Sequence, residues 1–82
     1  MEQLVYSAKS LGSAVKRRRK EKKLTQQEVG RNFKLDQTTV SSIEQGAQGT
    51  RLATLFRMLA ALDLEMVIRP RNVMPRKNKE NW

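Results

Sequence analysis

The sequence contains no cysteine and no histidine. The absence of Cys excludes a disulfide framework and a thiolate metal site, and the absence of His excludes imidazole ligands and Ser-His or Cys-His catalytic pairs. The internal carboxylates are scattered, and no apolar run approaches the roughly 20 residues that a membrane-spanning helix needs. We therefore expect a protein that is not an enzyme, holds no metal or cofactor and binds no membrane.

Length and charge indicate a small binding module. The 82 residues fit one domain and a short tail, and the N-terminus lacks the layout of a signal peptide, so we expect a cytoplasmic protein. The net charge is +9, and the positive charge is concentrated in residues 16–23 (KRRRKEKK) and in residues 69–82, on either side of a nearly neutral body. This asymmetry favours a polyanionic partner, although basic runs also serve simply to keep small proteins soluble.

Three N-terminal capping residues divide the first half of the chain into helices. Ser7 is the expected N-cap of a helix over residues 8–23. Thr25 and Glu28 form a capping-box pattern at the start of a second helix, which is expected to end near Phe33. Asp36 is the expected cap of a third helix, from Gln37 to about residue 45, with Gly46 at its C-terminal end.

A fourth helix and a strand are predicted in the second half. Thr50 is the expected cap of a helix over residues 51–62. Its apolar stripe is formed by Leu52, Leu55, Phe56, Leu59 and Leu62. Residues 64–69 alternate as in a strand, with Leu64, Met66 and Ile68 on one side. A lone strand needs a partner, and the same strand of a second copy is the simplest one; a continued helix or an extended segment is the alternative. We expect a domain over residues 1–69 and a flexible basic tail over residues 70–82.

Residues 24–46 carry the functional signal. They predict two short helices on either side of a tight turn, with Gly30 at the point of close approach. The second of these helices has an unusually polar outer side. Its short hydrogen-bonding residues suit base edges in the major groove of DNA, which is about 12 Å wide. The residues expected to hold the pair of helices together are Val29, Phe33, Leu35, Val40 and Ile43.

These motifs resemble the lambda-repressor-like (Cro/CI-type) helix-turn-helix family over residues 11–62. The matching signals are Leu24-Thr25-Gln26, Gly30, Leu35, Gln37, Val40, Ile43, Glu44 and Gly46. The resemblance implies an all-α bundle of four to five helices that binds operator DNA as a dimer. Lys34 departs from the family, which usually has Gly in the turn; a left-handed Lys34 would cost about 1 kcal/mol.

The resemblance also implies roles for individual side chains. Gln26 is expected to contact a DNA phosphate, and Gln37, Thr38, Ser41 and Ser42 are expected to reach base edges. Arg19 and Glu44 are expected to form a structural ion pair. From their charge and position, Lys16, Arg17 and Arg51 are further candidates for phosphate contacts.

The whole chain resembles, more specifically, the HipB-type antitoxins that pair with HipA-type serine/threonine kinase toxins. The resemblance depends on Tyr6-Ser7 before the first helix, the form of the fourth helix, the single strand and a tail that ends in Glu80-Asn81-Trp82. It implies a homodimer that represses its own promoter through a palindromic operator, is associated with the nucleoid, and contacts the toxin through Trp82. A stand-alone Cro/CI-type repressor without a toxin and a non-specific nucleic-acid-binding protein remain alternatives.

Overall fold

The computed structural model describes residues 2–71 as four helices and their connections. The helices are α1 (Ala8–Glu21), α2 (Gln26–Arg31), α3 (Gln37–Glu44) and α4 (Leu52–Ala61). Helix α1 packs against α3, and α2 packs against both α3 and α4. The all-α bundle predicted from the sequence is confirmed. In the described range, no helix has the length and apolar character needed to cross a membrane.

Side-chain caps begin the first three helices, as predicted. The side-chain oxygens of Ser7, Thr25 and Asp36 accept hydrogen bonds from backbone N–H groups three residues later, at 3.0, 3.1 and 2.8 Å. The Glu28 carboxylate in turn accepts from the Thr25 N–H at 2.8 Å, which completes the capping box. The cap predicted for α4 is wrong: Arg51 is its N-cap residue and makes no side-chain cap bond, because the helix begins one residue too late for Thr50.

The core consists of apolar side chains from all four helices and from the segments that follow α2 and α4. The buried members are Val15, Val29, Leu35, Val40, Ile43, Leu55, Met58, Leu59 and Leu62. The predicted stripe of α4 is partly wrong, because Leu52 and Phe56 are 62% and 51% exposed while Met58 is fully buried. The inward face follows the spacing 55, 58, 59, 62, so Leu52 and Phe56 lie to one side of it.

Two helices, α1 and α2, end about two residues earlier than the sequence pattern predicts, whereas α3 and α4 end within one residue of the prediction. Helix α1 ends at Glu21, and Lys23 then takes a left-handed conformation with φ of 58°. Helix α2 ends at Arg31 instead of near Phe33. Lys34 also has a φ of 58°, the left-handed turn that we considered from the sequence, and it directs the Leu35 N–H back to the Gly30 carbonyl at 3.2 Å.

Residues 64–71 form neither helix nor strand in the described single chain. Leu64 packs on the core, and its N–H donates to the Leu59 carbonyl at 2.8 Å. Met66 and Ile68 are exposed, Ile68 to 91%. Because a strand needs a partner for its backbone groups, the predicted strand remains a prediction about an assembly. Residues 72–82, most of the predicted tail, lie outside the described range.

We predict that Gly30→Ala destabilises the domain by about 1–3 kcal/mol, because the new Cβ would overlap the Leu35 carbonyl oxygen. Gly49→Ala is the matched control, since a Cβ there meets nothing within 4 Å. Urea unfolding of both variants measures the difference. Equal stability of the two variants would contradict the close approach of α2 to its turn.

Candidate nucleic-acid interface

A buried ion pair connects α1 to the C-terminal end of α3. Arg19 Nε donates to Glu44 Oε2 at 2.6 Å, and Arg19 Nη2 donates to Glu44 Oε1 at 3.1 Å. Arg19 Nη1 also donates to the Leu24 carbonyl at 2.8 Å, which fixes the connection into α2. The two side chains are 11% and 2% exposed. The pair therefore joins α1 to α3 and to the segment that leads into α2.

The surroundings of Glu44 keep it ionised. Burial alone would raise the pKa of this carboxyl group, but hydrogen bonds from Arg19 and Gln26 and the positive charges of Arg19 and Lys16 outweigh burial. The pKa of Glu44 consequently lies below its ordinary value. At neutral pH the carboxylate is an acceptor only, with Arg19 as its charged partner.

Polar contacts continue from Glu44 to the exposed start of α3. Gln26 Nε2 donates to Glu44 Oε1 at 3.1 Å. Gln37 Nε2 then donates to Gln26 Oε1 at 3.4 Å. The two glutamines, eleven residues apart in sequence, are thus linked to each other and to the buried ion pair.

The four candidate base-contacting side chains share one concave surface. Gln37, Thr38, Ser41 and Ser42 line it together with Gln26. Gln37, Thr38 and Ser42 are exposed, whereas Gln26 and Ser41 are half-buried. The Ser41 hydroxyl accepts a hydrogen bond from Gln45 Nε2 at 3.1 Å and retains its own hydrogen for donation. We call these five residues the α3 surface.

The basic run of α1 divides into inward and outward side chains. Arg18 Nε donates to the Leu62 carbonyl at 2.9 Å, and Lys22 Nζ pairs with Asp63 Oδ2 at 2.8 Å, so both bind the end of α4 to α1. Lys16 and Arg17 are exposed and line a second concavity. The other residues that line it are Ser13, Lys20 and Glu21. Arg17 also donates to Gln3 Oε1 at 3.2 Å.

The other candidate contact residues lie outside these two concave surfaces or outside the described residues. Arg51 is exposed at the start of α4 and lines neither concavity. Of the candidate dimerisation residues, Met66 and Ile68 are exposed, whereas Leu64 packs on its own core. Trp82, the candidate toxin contact, lies outside the described residues.

Sequence reasoning missed the contact between Gln26 and Glu44. It included Lys20 in the basic run but did not select it with Lys16 and Arg17, beside which the structure places it. The spacing of Lys16, Arg17 and Lys20 at i, i+1 and i+4 places them on neighbouring sides of a helix, so the sequence contained that signal. No local pattern indicates the Gln26–Glu44 contact, because the two residues are 18 positions apart and belong to different helices.

The geometry is that of a helix-turn-helix with α3 as the exposed second helix, and comparisons with known proteins agree. A family model described as helix-turn-helix matches residues 15–68. Antitoxin HipB of Escherichia coli (strain K12) is 33% identical over 66 residues, which cover 80% of this chain and 75% of that protein.

Solved structures that contain HipB are also similar to this chain. A HipB–O4 20mer complex and a HipA–HipB–O2–O3 complex each contain a chain that is 32% identical, with a TM-score of 0.79. In both cases the match covers 84% of this chain and 97% of the other. The chain therefore belongs to the lambda-repressor-like helix-turn-helix family and, within it, to the HipB-type antitoxins.

We predict that acid destabilises the domain through Glu44. A carboxyl group with a lowered pKa in the folded state contributes stability above the unfolded-state value, here about 4.5, and loses it as the pH falls through the folded-state pKa. The free energy of unfolding should therefore decrease below about pH 4.5, as measured by urea unfolding between pH 7 and pH 3. Glu44→Gln should cost about 3–5 kcal/mol at pH 7, because Arg19 loses its charged partner, and should reduce this pH dependence. The remaining dependence comes from Glu28, Asp36 and Asp63, whose pKa values are also lowered by their hydrogen bonds. A Glu44 carboxyl signal in NMR that titrates above pH 4.5 would contradict the prediction.

Proposed function

We propose that this protein is a DNA-binding autorepressor and the antitoxin partner of a HipA-type serine/threonine kinase toxin. The observation that carries the DNA-binding part is the α3 surface, on which five hydrogen-bonding side chains converge. The exposed bases Lys16, Arg17 and Lys20 on α1 supply positive charge of the kind that phosphates attract. Membership of the HipB-type antitoxins supports the partner.

Within this proposal, one group of side chains contacts bases and another contacts phosphates. Gln37, Thr38, Ser41 and Ser42 read base edges in the major groove, where an amide suits the N6 and N7 atoms of adenine. Gln26, Lys16, Arg17 and Arg51 contact phosphates and fix the orientation of the protein on the duplex. Such binding associates the protein with the nucleoid.

We predict that Gln37→Ala weakens binding to the preferred operator by about 1–3 kcal/mol, because it removes base-specific hydrogen bonds. Arg17→Ala is the comparison variant and should weaken binding to all duplexes alike and reduce the salt dependence. Fluorescence anisotropy with a duplex from the protein's own promoter and a scrambled duplex measures both. Equal losses on both duplexes for Gln37→Ala would contradict direct readout.

A homodimer on a palindromic operator is the second part of the proposal. Two copies joined through residues 64–69 would give their backbone groups partners and cover the exposed Met66 and Ile68. A two-fold dimer of helix-turn-helix domains requires half-sites about one helical turn apart, ~34–36 Å.

We predict that Ile68→Asp converts the dimer into a monomer, because it places a charge in the apolar contact. Gln3→Glu, which changes the charge at an exposed position outside residues 64–69, is the matched control. Sedimentation equilibrium at micromolar concentration measures the mass of each variant. A wild-type chain that sediments as a monomer would contradict the dimer.

Binding of the kinase toxin is the third part. The family supports the partner, and we assign Trp82 as an anchor because Trp is a frequent hot-spot residue of protein interfaces. Its place on the basic tail separates it in sequence from the α3 surface, so toxin and DNA are bound through different parts of the chain.

We predict that the full-length chain retains the HipA-type kinase encoded beside it in a pull-down and that Trp82→Ala weakens this complex by about 2 kcal/mol or more. Operator binding should be unchanged, which serves as the internal control. A variant that ends at residue 69 tests the whole tail. Undiminished binding of the kinase by both variants would move the interface to the folded domain, and no kinase bound by any variant would favour a stand-alone repressor.

A further inference from the structure

Four side chains form a chain of hydrogen bonds that begins in the interior and ends on the α3 surface. The order is Arg19, Glu44, Gln26 and Gln37, with separations of 2.6 Å, 3.1 Å and 3.4 Å between the bonded atoms. Only the last member is exposed. A group buried to 2% exposure is therefore connected through one amide to the side chain proposed to read bases.

The direction of each bond in this chain follows from the chemistry of its inner end. A guanidinium group donates only, and an ionised carboxylate accepts only. Because Glu44 accepts from Arg19 and has no proton to give, Gln26 must present its NH2 group to it. The carbonyl oxygen of Gln26 then faces Gln37, which in turn must direct an N–H toward Gln26.

The last amide is left with a defined pair of free atoms. One hydrogen of Gln37 Nε2 is engaged by Gln26, so the second hydrogen and the Oε1 acceptor remain for a ligand. A donor and an acceptor side by side match N7 and the N6 amino group of adenine. An isolated glutamine side chain would exchange its oxygen and nitrogen positions by rotation and would present either arrangement.

We propose that Glu44 is a positioning residue that fixes the amide orientation of Gln26 and Gln37 and thereby sets the base preference of the α3 surface. This inference rests on the proposed DNA readout by Gln37. It adds that sequence specificity depends on a buried carboxylate that contacts no DNA. Glu44→Gln is the direct test. When the oxygen of the new amide faces Arg19 Nε, its NH2 group faces Gln26, so a donor replaces the acceptor that orients the Gln26 amide.

The first experiment needs no DNA. The side-chain amide resonances of Gln26 and Gln37 are recorded by 1H–15N NMR in the wild type, in Glu44→Gln and in Leu59→Val, a core variant on α4. We expect both amides to shift in Glu44→Gln and to stay in place in Leu59→Val. A Gln37 amide that does not respond to Glu44→Gln overturns the inference, whether or not the protein binds an operator.

The second experiment measures base preference. Duplexes with each of the four base pairs at the position read by Gln37 compete for wild type, Glu44→Gln and Gln26→Met. Gln26→Met interrupts the chain but leaves the ion pair intact, so it decides the test if Glu44→Gln fails to fold. We expect discrimination between base pairs to fall about tenfold in both variants.

The two experiments separate the possible failures. A uniform loss of affinity with unchanged base preference in Gln26→Met and Glu44→Gln would assign these residues to stability and phosphate contact alone, and would overturn the inference. A wild-type chain without any base preference would overturn the proposed function, while the NMR result would still show whether the amides are ordered from Glu44.

Discussion

The ion pair between Arg19 and Glu44 is the interaction on which the rest of the structure depends. It joins residues 25 positions apart, and through the Leu24 carbonyl it also fixes the segment between α1 and α2. Removing two charges from water is costly, so such a pair is tolerated only when its remaining hydrogen-bonding capacity is used. Here the guanidinium group and both carboxylate oxygens have partners, including an amide from α2. The pair therefore contributes a defined arrangement of three helices as well as attraction.

Local signals explain why much of the fold was predictable. Ser7, Thr25 and Asp36 each satisfy backbone N–H groups three residues later, and this chemistry depends on nearest neighbours alone. Gly30 was identified from the sequence as a point of close approach between two helices; the structure places the close approach there, but the nearest atoms belong to Leu35 in the turn. The family motifs around residues 24–46 then defined the helix-turn-helix.

Features that depend on distant partners were not predictable in the same way. The packing of the other helices decides which side of α4 faces inward. Met58 is therefore buried, whereas Phe56, which was predicted to be buried, is exposed. The Arg18 side chain points inward because it donates to the Leu62 carbonyl, which is 44 residues away in sequence. At the candidate site, sequence reasoning grouped the polar residues of α3 but did not connect them to Gln26 and Glu44.

The divided basic run of α1 has a consequence for how the protein can change over evolution. Arg18, Arg19 and Lys22 hold the bundle together, whereas Lys16, Arg17 and Lys20 face solvent on the same helix. Substitution of Arg17 or Lys20 changes the positive charge of this surface with little cost to folding, since exposed charges contribute little to stability. Selection can thus change the surface charge of this helix independently of the stability of the fold, although the residues for both lie in the one segment KRRRKEKK.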